Sequence, residues 1–276
     1  MHEAERGDTV RRIARDGDPD RALAALFVPR EPRADLLALI AFNVELARIA
    51  EQVSEPELGA IRLQWWREAV ERAGEGEATG HPVPDALGAT LRRRKLSRER
   101  IGAMIDARAF DLAARIMPDG AALEAYLHHT AGSLLALSAE CLGAGGPSLD
   151  RAAAPASLAY GLTGLMRALP VHAGRGRVDL PADALRRHGT SPEDILAGKV
   201  TEGLFAVLSE LRDQARAALG EARHQVATLD RRARAAFLPL GLVEPYLAAL
   251  AKGRDPLREI ADINPLYRLW RLASWH

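Results

Sequence analysis

The sequence predicts an all-α protein, and two observations support that prediction. Apolar residues recur at spacings of three and four along nearly the whole chain, whereas the alternation typical of strands is hard to find. The 276 residues are 48% hydrophobic, which is ample material for a buried core. No internal repeat, low-complexity tract or long linker divides the chain. We therefore expect one helical domain over 1–276, with residues 1–17 flexible or loosely packed.

Local signals set the expected helix boundaries. Pro32 suits a first helical turn, Ser97 is a good N-cap, and Pro239 and Pro245 should kink or split a helix. Residues 74–84 are rich in Gly, Pro and Thr and indicate a loop, and 118–120 indicate a turn. Helices are expected over Asp35–Val53, Glu57–Arg72, from Ser97 through Arg115, and over Ala121–Cys141, Leu149–Leu169, Glu202–Gln225 and Asp230–Ala251.

Composition excludes several classes of protein. The 37 basic and 37 acidic side chains cancel, so nothing in the overall charge points to a nucleic-acid partner. A single cysteine, Cys141, cannot form an internal disulfide, which favours a reducing, cytoplasmic compartment, and its apolar helix predicts a packed, inert thiol. We expect no transmembrane segment. The least polar stretch, Ala233–Ala251, carries Arg234 and Glu244 and indicates a buried helix, with a weaker chance of contact with a membrane surface.

The segment Gly161–Pro181, GLTGLMRALPVHAGRGRVDLP, carries the most specific motif. It resembles the second aspartate motif of the squalene/phytoene synthase family, in which a helix runs into a basic loop and then Leu-Pro. Ala168 and His172 stand where that family has its two aspartates. The positions that fit the motif are Arg167, Gly176, Arg177, Leu180 and Pro181.

A second match lies at Ala41-Phe42-Asn43 and continues to Glu51. It resembles the first aspartate motif of the same family, with Ala47, Arg48 and Glu51 at the three acid positions. In such enzymes a diphosphate anion departs, and Mg²⁺ neutralises its charge through carboxylate ligands. Arg48 would place a permanent positive charge in that metal site, and one imidazole beside one carboxylate binds metal weakly. We therefore expect no metal, no cofactor and no catalytic residue among these positions.

The resemblance covers roughly Asp18 to Ala251. Tyr126 with Thr130-Ala131-Gly132 is similar to the family's Tyr-x-x-x-Val-Ala-Gly helix, and Arg177–Leu196 continues the family pattern. The resemblance implies a terpenoid-synthase-like helical bundle around a central cavity. The residues expected to line that cavity are Phe42, Tyr126, Ala131, Gly132 and Gly164.

Further features resemble one diverged branch of the family, typified by mitochondrial respiratory complex I assembly factor 6 and its bacterial relatives. The branch keeps the fold and departs from the acid motifs, and its implied role is to support biogenesis of NADH:ubiquinone oxidoreductase. The matching stretches are 43–47, Ser54-Glu55, 61–67, Arg167-Ala168 with Pro170 and 172–174, and Pro265-Leu266-Tyr267 with Trp270.

The basic residues near the second motif leave two interpretations open. Arg48, Arg167, His172, Arg175 and Arg177 could together hold a diphosphate or a phospholipid headgroup without Mg²⁺. Alternatively, these arginines satisfy the carbonyls at a helix C-terminus and the remaining Glu51.

Two further sets of residues have expected roles. Trp65 and Trp66 are either anchors for a protein partner or one core ring beside a half-exposed ring. Asp179 and Asp183 are expected to be loop and helix-start residues.

The resulting hypothesis is a non-catalytic protein that supports complex I assembly, with complex I subunits or assembly proteins as partners. It would bind an isoprenoid diphosphate or lipid and lie in the cytoplasm or at the inner face of the inner membrane. The alternative is an active prenyl transferase of the squalene/phytoene synthase type, for which Mg²⁺ would be required. A weaker alternative is an isoprenoid or lipid carrier.

Overall fold

Helices dominate the computed structural model, which describes residues 3–53, 55–112, 116–252 and 255–275. The chain is 78% helical, and no strand occurs within the described ranges. The all-α fold class is thereby confirmed. Ser54 and Arg115, which the sequence placed at a helix break and a helix end, lie outside the described residues.

The helices of the first half are more numerous than the sequence indicated, and the helix expected from Ser97 is divided at Arg108. They are α1 (Glu3–Gly17), α2 (Pro19–Ala24), α3 (Arg30–Gln52), α4 (Pro56–Glu75), α5 (Pro82–Arg93), α6 (Arg98–Ala107) and α7 (Ala109–Leu112), with a 3₁₀ turn at Ala25–Phe27. Ser97 is confirmed as an N-cap, because its side chain accepts a hydrogen bond from the Arg100 N–H.

The second half begins with α8 (Gly120–Leu127), a π-helical turn (His128–Gly132) and α9 (Ser133–Cys141). It continues with α10 (Pro147–Gly174), α11 (Ala182–Arg187), α12 (Pro192–Leu196), α13 (Glu202–Ala227), α14 (Arg231–Arg234), a 3₁₀ segment (Ala235–Leu242), α15 (Val243–Leu250) and α16 (Pro265–Ala273).

The chain divides into two compact units. The first comprises Met1–Ala113, Ser133–Asp150 and Thr228–Leu238, and the second comprises Ala114–Gly132, Arg151–Ala227 and Pro239–His276. The single domain expected from the sequence stays a prediction.

In the first unit, residues 3–17 form an ordered helix, so the expectation of a loose N-terminal segment is wrong. Val10 and Ala14 of α1 are buried. Gly17 approaches α3 so closely that an added Cβ would lie 2.3 Å from Val44 Cγ1. Little in the sequence predicts this packing, because α1 carries few apolar residues and relies on small ones fitting against α3.

A buried carboxylate connects α3 to α5 in the same unit. Asp35 is only 1% exposed. Its oxygens accept hydrogen bonds from Arg93 at 2.5 Å, Arg94 at 2.9 Å and Thr90 at 3.1 Å. The hydrogen bond to Asp35 is the main reason that the pKa of Arg94 is raised. Two guanidinium groups and a hydroxyl thus compensate the cost of burying this charge.

Replacing Asp35 by Ala should therefore destabilise the protein by about 3 kcal/mol, because Arg94 would keep a largely buried charge without its main partner. Urea unfolding monitored by circular dichroism measures the change. Glu31→Gln is the matched control, since Glu31 also pairs with Arg94 but has a 73% exposed side chain. It should cost less than about 1 kcal/mol. Equal losses in the two variants would contradict the role given to Asp35.

Close contact between α4 and α5 depends on a glycine. A Cβ added at Gly88 would lie 2.3 Å from the Ala73 carbonyl oxygen, a backbone atom that a rotamer change cannot move. Arg92 also donates a hydrogen bond to that carbonyl oxygen. Gly88 therefore sets the distance between the two helices.

Gly88→Ala should destabilise the protein by about 1–3 kcal/mol despite the better helix propensity of alanine, because the new methyl group forces α4 and α5 apart. Gly220 is the matched control: it lies within α13, it is exposed, and an added Cβ would meet nothing within 4 Å. Gly220→Ala should stabilise the protein by up to about 1 kcal/mol. Thermal melting of both variants measures this difference in sign, and stabilisation by Gly88→Ala would refute the proposed contact.

In the second unit, small residues allow α10 to approach α8 and the π-helical turn that follows α8. A Cβ at Gly132 would lie 2.8 Å from Ser157 Cβ, and one at Gly161 would lie 2.7 Å from Leu127 Cδ2. The expected helix over Ala121–Cys141 is present, with a π-helical turn at His128–Gly132 inside it. Gly132 therefore lies in close contact with α10.

The apolar stretch near residue 240 is helical and is interrupted at Pro239, where a 3₁₀ segment replaces the α-helix. Pro245 lies in the first turn of α15 and causes no break. By length and composition, Arg231–Leu250 could cross a membrane, and 67% of its most apolar window is buried within the protein. This burial agrees with the sequence interpretation of a buried helix.

Candidate functional site

The end of α10 is shaped by a glycine in the left-handed region. Gly176 has a φ of 76° and its N–H donates to the Ala173 carbonyl at 3.0 Å. The Arg177 N–H donates to the His172 carbonyl at 2.9 Å. These two bonds form a Schellman motif, which ends the helix and turns the chain back along it. The turn brings the basic loop against the last turn of α10.

Asp179 is the centre of the cluster that results. It is 7% exposed, and Arg177 binds it with both Nε at 3.2 Å and an η-nitrogen at 2.7 Å. His172 Nδ1 lies 2.6 Å from Asp179 Oδ2, although the angle between the groups falls short of a regular hydrogen bond. The structure therefore brings His172 and Arg177 together, as the sequence suggested, but around a carboxylate.

The role of Asp179 was missed by the sequence analysis, which expected an ordinary loop residue. Burial by itself would raise the pKa of Asp179, but His172 and Arg177 outweigh that effect and lower the pKa to about 2. Asp183 was placed correctly, in the first turn of α11. A basic residue two positions before an acid is only a weak indication of an ion pair. The pairing of Arg177 with Asp179 became apparent from the turn at Gly176 in the structure.

Arg167 is held in a different way. Its Nε donates to the Ala261 carbonyl at 3.2 Å, and its guanidinium lies 3.5 Å from the centroid of the Tyr246 ring. Tyr246 is buried, so this cation–π contact is partly desolvated. Arg175 is exposed. Shared anion binding by these arginines stays a prediction. Arg177 pairs with Asp179, whereas the alternative interpretation named only the carbonyls at a helix C-terminus and Glu51 as partners.

The positions of the first acid motif lie on α3 in the first unit. Ala47 and Arg48 are half-buried, Glu51 is exposed, and Arg48 lies 3.7 Å from Glu45 one turn away. Among the described residues, no group of three or more His, Cys, Asp or Glu side chains is placed to hold a metal ion. The donor set at Ala47, Arg48 and Glu51 does not suit Mg²⁺, which prefers several carboxylate oxygens.

The residues expected to line a cavity occupy varied environments. Phe42 is fully buried and packs edge to face on Trp66 at 5.7 Å, within the first unit. Tyr126 and Ala131 are half-buried and Gly132 is buried, whereas a Cβ added at Gly164 would meet open space. Their common role as cavity lining stays a prediction.

The two tryptophans of α4 differ in exposure. Trp66 is 5% exposed and contacts both Phe42 and His81. Trp65 is 38% exposed and continues a stripe with Leu58 and Ile61, which are 50% and 65% exposed. The structure thus shows one core ring and one half-exposed ring, and it adds two apolar neighbours that the sequence analysis missed.

The helix α16 exposes a second apolar face. Leu266, Leu269 and Trp270 are 78%, 42% and 57% exposed. The opposite face is fixed to the second unit, because Leu272 is buried and Arg271 donates to the Gly241 carbonyl. Apolar side chains that point outward along one helix are typical of an interaction surface.

Cys141 is 1% exposed, and burial raises the pKa of its thiol to about 12. A thiol in this environment remains protonated at neutral pH and is a poor nucleophile. The expectation of a packed, inert cysteine agrees with this environment.

These features define a terpenoid-synthase-like helical protein whose acid-motif helices lack most of their acids. The family model described as squalene/phytoene synthase matches residues 14–268, and the chain belongs to that family. Over 268 residues it is 32% identical to human "NADH dehydrogenase (ubiquinone) complex I, assembly factor 6", covering 95% of this chain and 80% of that one. It is 31% identical to the phytoene synthase of Thermus thermophilus over 196 residues, covering 71% and 66%.

Structural comparison supports the same fold. A dehydrosqualene synthase crystallised with a ligand superposes with a TM-score of 0.82 over 98% of this chain and 94% of that chain, at 18% identity. The terpenoid-synthase-like fold predicted from the motifs is confirmed.

Asp179→Asn should lower the free energy of unfolding at pH 7 by about 2 kcal/mol. This is the free energy that corresponds to lowering the pKa of Asp179 from its ordinary 3.8 to about 2. A lowered folded-state pKa stabilises the protein above about pH 4, and this stability is lost as the pH falls toward 2. The difference between wild type and variant in urea unfolding should therefore shrink below pH 4.

The matched control is Asp213→Asn. Asp213 pairs with Arg216 across one turn of α13 and has a 72% exposed side chain, so its loss should cost less than about 0.5 kcal/mol. A difference for Asp179→Asn that stays constant from pH 7 to pH 2 would argue against the ion-pair explanation.

Proposed function

We propose that this protein is a non-catalytic member of its family that supports the assembly of NADH:ubiquinone oxidoreductase. The observation that carries the proposal is the loss of carboxylates from both acid motifs in a chain similar to complex I assembly factor 6 over 95% of its length. Its partners would be complex I subunits or assembly proteins.

The chemistry of prenyl transfer explains why the missing acids matter. Departure of diphosphate builds negative charge that metal ions must neutralise, and those ions need carboxylate ligands. Ala47 and Ala168 offer no ligand atom, and Arg48 brings a positive charge. His172 lies against Asp179, which already shares its charge with Arg177.

Binding of an isoprenoid diphosphate or an anionic lipid is a further part of the proposal. It is supported by the composition of residues 167–179, which contain Arg167, His172, Arg175 and Arg177 but only one carboxylate, that of Asp179. Guanidinium groups bind phosphate oxygens through charge-assisted hydrogen bonds without a metal.

Two exposed apolar faces support binding to a partner or a membrane surface. The stripe formed by Leu58, Ile61 and Trp65 follows the i, i+3, i+7 spacing of helix-in-groove recognition. Trp270 and the leucines of α16 suit the interface between water and lipid. We accordingly propose a cytoplasmic protein that associates peripherally with the inner face of the inner membrane.

A complementation experiment tests the assembly function. Deleting the gene should lower the amount of assembled complex I on native gels and the NADH:ubiquinone activity of membranes, and the wild-type gene should restore both. Glu51→Gln, which removes the last acid of the first motif, should restore both as well. Unchanged complex I after deletion would refute the assembly function, and failure of a folded Glu51→Gln protein to complement would refute the non-catalytic part.

The alternative function is prenyl transfer, and the similarity to a phytoene synthase over 71% of the chain favours it. Purified protein incubated with Mg²⁺ and farnesyl or geranylgeranyl diphosphate should release no diphosphate under our proposal. Product in molar excess over protein would establish the enzyme instead. A ligand carrier would be recognised by an isoprenoid or lipid that co-purifies in native mass spectrometry.

A further inference from the structure

The first unit contains an open cavity of about 680 Å³ between α1, α3 and α5. Its volume falls within the ~300–1,000 Å³ typical of small-molecule sites. No residue of either acid motif is among those that line it. The charged lining residues are Arg6, Arg11, Arg30, Arg33, Arg93 and Asp85.

Positive charge remains in this cavity after every pairing is counted. Asp85 pairs with Arg6 at 3.0 Å. Arg11 and Arg93 pair with carboxylates outside the lining, namely those of Asp8 and Asp35. Three of the five arginines are thereby compensated, and two positive charges are left.

The two uncompensated charges belong to Arg30 and Arg33. Within the described part of the chain, Arg30 is exposed and makes no ion pair or hydrogen bond. Arg33 donates to three backbone carbonyls, those of Ala25, Leu26 and Val28, which position the guanidinium but do not cancel its charge. Both arginines are among the residues that line the cavity.

Their position in α3 is electrostatically unfavourable. Both lie in the first turns of this helix, where the macrodipole is already positive. The N-cap, Pro29, provides no side-chain hydrogen bond to the free N–H groups. Glu31 is the acid of this first turn, but its carboxylate pairs with Arg94 and Arg232, so a bound anion would compensate the positive charge here.

Apart from Thr90, the uncharged lining residues are apolar. Val10, Ala34, Leu37, Ala86 and Ala89 are among them, and no aromatic ring is present among the lining residues on which a nucleobase could stack. Leu26 and Phe27, which lie in the turn that Arg33 binds through the Leu26 carbonyl, are 55% and 40% exposed. The site therefore combines an arginine pair for an anion with aliphatic surface for a hydrocarbon.

We propose that this cavity binds the phosphate group of an amphiphilic phosphate ester, with Arg30 as the principal cation and the aliphatic lining against the carbon chain. Leu26 and Phe27 then contact the lipid when the ester belongs to a membrane. This site is additional to the proposed assembly function and can be tested on purified protein without reference to complex I.

Isothermal titration with dihexanoyl phosphatidic acid, a soluble short-chain ester, provides the first test. Arg30→Gln should weaken binding about tenfold, the loss of one charge-assisted contact. Arg12→Gln is the control, because Arg12 is exposed on α1 and does not line the cavity. This substitution removes the same charge as Arg30→Gln. It should change affinity by less than about twofold. Equal weakening by both variants, or none by Arg30→Gln, overturns the proposal.

A second variant tests the cavity itself. Ala89→Glu places a carboxylate among the lining residues without touching Arg30, and it should abolish binding while circular dichroism stays unchanged. Unaltered affinity in a folded Ala89→Glu protein would overturn the site. Inorganic pyrophosphate should bind at least tenfold more weakly than the ester, because it lacks a carbon chain. Equal affinities would overturn the amphiphilic part of the proposal.

Vesicles distinguish a membrane lipid from a free ester as the source of the ligand. Phosphatidylcholine vesicles that contain phosphatidylglycerol should sediment the protein, and pure phosphatidylcholine vesicles should not. Leu26→Ser combined with Phe27→Ser should reduce vesicle binding and leave the affinity for dihexanoyl phosphatidic acid unchanged. If the double variant binds vesicles like wild type, the role given to Leu26 and Phe27 is wrong.

Discussion

The buried carboxylate of Asp35 is the interaction on which the first unit depends. A charge at 1% exposure is tolerated only because Thr90, Arg93 and Arg94 bring donors to it from α5 and the residue after it. This network holds α5 against α3, and so it defines two of the three walls of the arginine-lined cavity. It also orders α3, the helix that carries the altered first acid motif.

In the second unit, a similar principle acts at the end of α10. Asp179 is a buried acid surrounded by two basic groups, His172 and Arg177, and its pKa falls to about 2. One of the acid positions of the motif that this helix end resembles holds His172, whose Nδ1 lies 2.6 Å from Asp179 Oδ2. The histidine thus helps to compensate the charge of that carboxylate.

Much of the fold could be predicted from the sequence, and the failures have physical causes. The long amphipathic helices were found because their apolar periodicity is strong, although α3 begins five residues before the expected Asp35. The helix α5 was missed, because the three glycines and two prolines of residues 74–84 resemble a loop. Pro82 and Pro84 occupy the first turn of α5, where proline is tolerated. The packing of α1 was missed because it depends on small residues.

By itself, the sequence determined the all-α class, the family and the identity of the altered acid positions, because these depend on residue type and spacing alone. Only the tertiary structure decided which charges are compensated. Asp179 and Asp35 lie close to their arginines in space for reasons that no local pattern records, namely a Schellman turn and the packing of two helices. The uncompensated Arg30 became recognisable only when the partners of the other arginines were known, since charge balance is a property of the folded neighbourhood.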